Sequence, residues 1–302
     1  MARKDELKDD ALSADMSRRD VVKLGIATAL AASAASATAA SASAVEVVET
    51  NVEVNTPDGT CDAAFIHPAK GTHPGVLVWP DAFGLRPSMR DIGKRIAAEG
   101  YAVLVPNPYY RVSPASAIDL NARTFNFGNA DDMARLRKYM GGLQAPGMAE
   151  KDAVAYIAFL DSQKQVNKKQ KIGTQGYCMG GPLVFKTCAA VPERVGAGAS
   201  FHGGGLVTDQ PNSPHLLIPK MKSRMYVGIA SNDDMRQPDA KDKLKEAFAS
   251  AKVPAEVEVY SSLHGWCVPD MPNGQDGKPI YNKADAERAW AKLVALYKEA
   301  LS

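Results

Sequence analysis

Apolar and polar positions come in blocks along this chain, and the blocks predict strands and helices in turn. Val45 to Val54 alternates with period two, as an edge strand does. Cys61 to His67 reads as its return strand after the turn Pro57-Asp58-Gly59. Gly75 to Trp79 and Ala102 to Val105 are short, wholly apolar runs of the kind buried inside parallel sheets. Further strands are predicted at 172–176, 196–200, 225–230 and 255–260. Helical spacing marks Ser88 to Glu99, ending at Gly100, and Ala149 to Asp161, with Val154, Ile157, Ala158 and Leu160 on its apolar side. It also marks Asp239 to Ala251 and Asp285 to Glu299, the last with Trp290, Leu293, Val294 and Leu296 inward. Residues 111–147 are the least regular stretch, a lid or pocket wall with a helix such as Asp131 to Met140 inside it. This alternation predicts an α/β architecture, a mostly parallel sheet covered on both faces.

Three of the strand ends carry chemistry. The strand ending in Gly176-Tyr177 runs into Cys178-Met179-Gly180-Gly181, and a helix-like segment Leu183 to Ala190 follows. Strand, sharp turn and helix make a nucleophile elbow, with cysteine where serine usually stands. The positive end of the following helix favours a thiolate, the reactive form. Downstream, Arg224 to Ala230 leads into Ser231-Asn232-Asp233-Asp234, where a carboxylate is placed to orient an imidazole. Asp233 is the preferred acid because a short loop from Ala230 reaches it first. Ala255 to Tyr260 leads to His264-Gly265, so nucleophile, acid and base follow in the chain order of this elbow. Each has a structural alternative: Cys178 as a buried apolar residue, the Asp233-Asp234 pair as a helix cap, His264 as a turn residue. His67, His73 and His215 read as surface or loop residues, and His202, in Phe201-His202-Gly203, as a pocket-lining one.

The segment Gly176-Tyr-Cys-Met-Gly-Gly181, with Asp233 and His264, resembles the dienelactone hydrolase family of α/β-hydrolases (carboxymethylenebutenolidases). Val76 to Gly84 looks like the family's strand and acidic loop, and Tyr101 to Arg111 like its next strand and arginine-bearing loop. The resemblance runs over roughly residues 46–300. It implies the α/β-hydrolase fold and a cysteine hydrolase of esters or lactones that needs no cofactor. Cys178, Asp233 and His264 are then catalytic, and the amides of Ala82 and Met179 form the oxyanion hole. Asp81, Arg111 and His202 are the expected substrate-binding residues. Two departures stand out. The family's loop glutamate is here Asp81, one methylene shorter, and no arginine follows His264 in Gly265 to Pro269. Those departures motivate a rival reading, a non-catalytic ligand-binding protein that keeps the fold.

Met16 to Lys23, with Arg18-Arg19, resembles a twin-arginine export motif. A mildly apolar Ala/Ser stretch follows, and Ala42-Ser43-Ala44 fits a small-residue cleavage site. Residues 1–44 are thus an expected signal peptide and 45–302 the mature domain. The implied partner is the twin-arginine export machinery, the destination the bacterial periplasm or beyond, with no stable membrane span after cleavage. A formal net charge of +2 without a basic tract excludes a nucleic-acid partner. The four cysteines are widely spaced, with no C-x-x-C, which speaks against a metal site or a disulfide framework. Cys267, three residues past His264, is a candidate redox partner for Cys178.

Overall fold

The computed structural model describes residues 45–302 apart from Gln275, and the expected signal peptide lies outside the described residues. Eight strands form one sheet: β1 (Val47–Thr56), β2 (Gly59–Pro68), β3 (Gly75–Trp79), β4 (Ala102–Pro106), β5 (Ile172–Tyr177), β6 (Val195–Phe201), β7 (Arg224–Ile229) and β8 (Ala255–Val259). Their order across the sheet is β1-β2-β4-β3-β5-β6-β7-β8. Residues β1 and β2 pair as an antiparallel hairpin, and β2 lies antiparallel to β4. Every other pairing is parallel. This is the α/β-hydrolase fold.

The seven α-helices are α1 (Pro87–Ala98), α2 (Ala130–Gln144), α3 (Met148–Ser162), α4 (Gly180–Ala190), α5 (Ser231–Arg236), α6 (Ala240–Ser250) and α7 (Lys283–Ala300). Helices α3, α4 and α6 cover one face of the sheet, and α1 and α7 the other, each over its own apolar core. β3, β4 and β5 are buried along their whole length, which explains the unbroken apolar runs of β3 and β4, while β5 buries Thr174 and Gln175 with their side chains hydrogen-bonded. β8 is an edge strand, half covered, and carries Glu256 and Glu258 paired to Lys292 and Arg288. Charge on an exposed edge blocks further strand pairing.

Helix α3 differs from its expected orientation. Ile157 and Leu160 point inward as expected, but Val154 and Ala158 face solvent, and Asp152, Ala153 and Tyr156 take their place. The cause is Asp152, a buried carboxylate that binds Arg111 through two bonds of 2.7 and 2.8 Å and accepts the Tyr110 hydroxyl at 2.8 Å. Meeting that demand rotates the helix by about one position. A charge pair overrides a simple apolar stripe, because an unpaired buried carboxylate costs several kcal/mol.

The elbow between β5 and α4 is the tightest place in the fold. Cys178 adopts φ +51°, a left-handed conformation rare outside glycine. The turn closes so sharply that a Cβ on Gly176 would lie 2.1 Å from the Gly180 carbonyl oxygen, and one on Gly180 would lie 2.4 Å from the Trp79 carbonyl oxygen. Both obstacles are backbone and cannot swing aside. Gly176→Ala is therefore expected to lower the thermal midpoint by at least about 10 °C or to yield insoluble protein. A variant with unchanged melting would contradict this packing.

Candidate active site

The parallel strands all end on the same side, and five of the loops that leave them meet there. β3 delivers Asp81 and Ala82, β4 Tyr109, β5 Cys178, β7 Asp233, and β8 His264. A cleft of about 1150 Å³ opens over this edge, lined by Ala82, Cys178, Asp233 and His264 together with Phe83, Phe125 and Phe127. A second cleft, about 430 Å³, adjoins it and shares Ala82, Phe127 and Cys178. Its other walls are Leu136, Met140 and Leu143 on α2, and Met179, Pro182 and Leu183 at the start of α4. The irregular stretch between β4 and α3 therefore supplies a wall to each cleft, as a lid does.

His264 Nδ1 meets Asp233 Oδ2 at 2.6 Å, and the His264 amide donates to Asn232 Oδ1 at 2.8 Å. The Ser231 amide donates to the Ser262 carbonyl at 3.0 Å, so the loops after β7 and β8 are stitched at three successive points. Asp234 faces the other way and binds Lys241 at 2.8 and 3.0 Å. The acid that reaches the imidazole is thus Asp233, presented on a short helix rather than a loop. Burial works against a charged His264 ring, but the negative Cys178 sulfur in the same cavity and the Asp233 carboxylate outweigh it. Together they push the histidine up to about 10.

Two unengaged backbone donors belong to residues that line a cleft with Cys178. Among the described residues, the amides of Ala82 and Met179 donate to no protein acceptor, and both residues line the smaller cleft beside Cys178. Two devices hold these amides. The Tyr109 hydroxyl donates to the Ala82 carbonyl at 2.8 Å and reaches the Met179 sulfur at 3.3 Å, so one phenol ties the two loops together. Asp81, only 1% exposed, is locked by Arg86 at 2.6 and 2.9 Å, and its Oδ1 accepts the Phe83 amide at 2.9 Å. Arg86 is gripped from its other side by Asp270 at 2.7 and 2.8 Å. Burial would raise the Asp270 carboxyl, but Arg86 overcomes this and holds it below the usual range. Asp81 accordingly fixes the loop that carries Ala82, with both its oxygens occupied.

Two further expectations meet a different placement. Arg111 lines neither cleft; Asp152 and Asp58 neutralise it, the latter at 2.7 Å. The cations on the lining of the larger cleft are instead Arg123 and Arg236. His202 is fully buried and lines neither cleft. It sits under the elbow with φ +40°, and its Nδ1 accepts the Cys178 amide at 3.1 Å. That bond places the ring proton on Nε2, which has no hydrogen-bond partner among the described residues; the ring centre lies 4.8 Å from that of His264 and 5.1 Å from that of Trp266. Burial first, then the neighbouring His264 charge, hold His202 well below the ordinary histidine value, so it stays neutral. Cys267 lies in a separate cavity with Tyr177, Phe201 and Trp290, and burial raises its thiol well above normal. All four cysteines are unpaired in the structure.

The comparisons with known proteins give the family. The dienelactone hydrolase family model matches residues 61–301. The chain belongs to the dienelactone hydrolase family. It is 24% identical over 260 residues to a carboxymethylenebutenolidase of Rhodococcus opacus, covering 83% of this chain and 92% of that one. Among solved structures, it resembles a dienelactone hydrolase-like promiscuous phosphotriesterase from metagenomic libraries, with TM-score 0.66, 21% identity, and 85% and 99% of the two chains covered. A dienelactone hydrolase from Anabaena variabilis superposes with TM-score 0.53 at 16% identity, covering 85% and 99%. This member of the dienelactone hydrolase family is thus a hydrolase by its relatives and an α/β-hydrolase by its fold.

Asn232, Tyr109, Arg86 and Asp270 were not legible as site residues, because the contacts Asn232–His264, Tyr109–Ala82 and Arg86–Asp270 span 27 to 184 positions of the chain. His202 carried a signal, its place after a strand end, but its role is to hold the elbow. His202→Leu removes the acceptor for the Cys178 amide and strains a left-handed backbone. The thermal midpoint is expected to fall by about 5–10 °C. His202→Asn, which offers an acceptor and tolerates that backbone, is expected to recover most of the loss. Equal melting of the two variants would contradict the assignment.

Proposed function

We propose that this chain hydrolyses carboxylic esters or lactones through a Cys178–His264–Asp233 triad. The observation that carries the reading is the 2.6 Å contact between Asp233 and a His264 that shares its cavity with a left-handed Cys178. The cysteine stands just before the N-terminus of α4, where the backbone amides favour negative charge. The Cys178 thiolate attacks the carbonyl carbon, and a sulfur–carbon bond forms. The carbonyl oxygen takes the electron pair and is met by the Ala82 and Met179 amides. The intermediate collapses with cleavage of the carbon–oxygen bond, and His264 gives its proton to the departing alkoxide. A water, deprotonated by His264, then attacks the thioester and releases the acid and the thiolate. Asp233 keeps the histidine in the tautomer and orientation these transfers need.

The thiolate is itself a good leaving group, so esters whose alkoxide is stabilised are the favoured substrates. Asp81 takes no part in proton transfer in this scheme, since Arg86 occupies its oxygens. Cys178→Ala is expected to abolish hydrolysis of p-nitrophenyl acetate by the purified protein. Asp233→Asn is expected to lower kcat by about a hundredfold or more, while Asp234→Asn stays near the parent value. Unchanged turnover in Cys178→Ala, or equal losses at positions 233 and 234, would refute the triad.

A further inference from the structure

The two clefts meet at Cys178 but are made of different chemistry. The larger holds His264, Asp233, Asn232, Arg123 and Arg236. The smaller holds neither His264 nor any carboxylate. Leu136, Met140, Leu143, Pro182 and Leu183 make up most of its wall, and Lys186 is the single charged residue on it. Both oxyanion-hole residues line the smaller cleft, and Ala82 also lines the larger.

Proton delivery decides which half of an ester lies where. The alkoxide must leave next to His264, because that ring supplies its proton. The leaving group therefore occupies the larger cleft. The carbonyl carbon sits over the Cys178 sulfur, and the remaining substituent of that carbon must run the other way. The only other opening from Cys178 among the described clefts is the apolar one between α2 and α4. Resting on the triad reading above, we infer that this cleft is an acyl groove, and that the substrates are open-chain esters with an extended apolar acyl group. A compact lactone, whose acyl and alkoxide ends are tied together, cannot use both clefts at once.

The groove's construction fits that occupant. Leu136 and Leu183 are 4% and 5% exposed, and Leu143 is 4% exposed, so an alkyl chain that enters replaces water along a nearly continuous aliphatic wall. Met140, half-buried on α2, lies on the groove wall without belonging to the closed core beneath it. A thioether side chain of this kind adapts to chains of different shape.

The test is a series of p-nitrophenyl esters from acetate to hexanoate, assayed with the full chain. A parallel series of acetate esters with alcohols of increasing length probes the other side. In the acyl series, kcat/KM is expected to rise about threefold per methylene, and in the alcohol series to stay flat. Met140→Glu should lower the hexanoate-to-acetate ratio at least fivefold, while Met140→Leu should preserve it. A flat or falling acyl series, with acetate hydrolysis still dependent on Cys178, would overturn the groove and leave the triad standing. A rise in the alcohol series instead would reverse the two clefts and likewise overturn it. Ester hydrolysis unaffected by Cys178→Ala would remove the triad, and the groove assignment with it.

Discussion

The left-handed turn at Cys178 is the constraint on which the rest of the site depends. Such a backbone stores strain of about 1–3 kcal/mol and persists only where its surroundings over-determine it. Here β5 and α4 close on each other through Gly176 and Gly180 with no room for a side chain. The Cys178 amide is held from behind by the Phe201 carbonyl and by His202 Nδ1, each at 3.1 Å. The strain lifts the sulfur out of the β-sheet and sets it before the amino end of a helix.

Around that turn, charge is arranged so that each ion has one task. Arg86 binds two carboxylates and keeps Asp81 in the β3 loop, which leaves Asp81 no capacity for proton transfer. Arg111 is likewise consumed by Asp152 and Asp58, and serves to seat α3 against the β4 loop. His202 is kept neutral by burial, so it does not compete with the proton on His264, 4.8 Å away between ring centres. His264, by contrast, has the Asp233 carboxylate at its back and shares its cavity with the Cys178 sulfur, and both raise its affinity for a proton. Desolvation magnifies each of these interactions, since the low local dielectric strengthens a met charge and penalises an unmet one.

Much of this was legible from sequence because it is local. β3 and β4 announced themselves as unbroken apolar runs, and the elbow as small residues around a cysteine between strand and helix. Cys178, Asp233 and His264 each follow a strand by one to five residues, so a parallel sheet brings them to one edge without further information. What was not legible depends on pairs far apart in the chain. Arg86 finds Asp270 across 184 positions, and Tyr109 finds Ala82 across 27. Arg111 carries the right residue type on the right loop, yet its direction is set by Asp152, which also turned α3 away from its expected stripe. His202 has the residue type of a ligand contact, but its left-handed backbone tucks the ring beneath the elbow, a feature no periodicity reveals.

The central proposal is that His264 activates the Cys178 sulfur as a nucleophile. The rate of Cys178 alkylation by iodoacetamide, followed against pH in the parent and in His264→Gln, measures this without reference to any substrate. The account predicts rapid alkylation at pH 6–7 in the parent and a loss of about tenfold or more at the same pH in the variant. Equal rates in the two proteins across that range would contradict it.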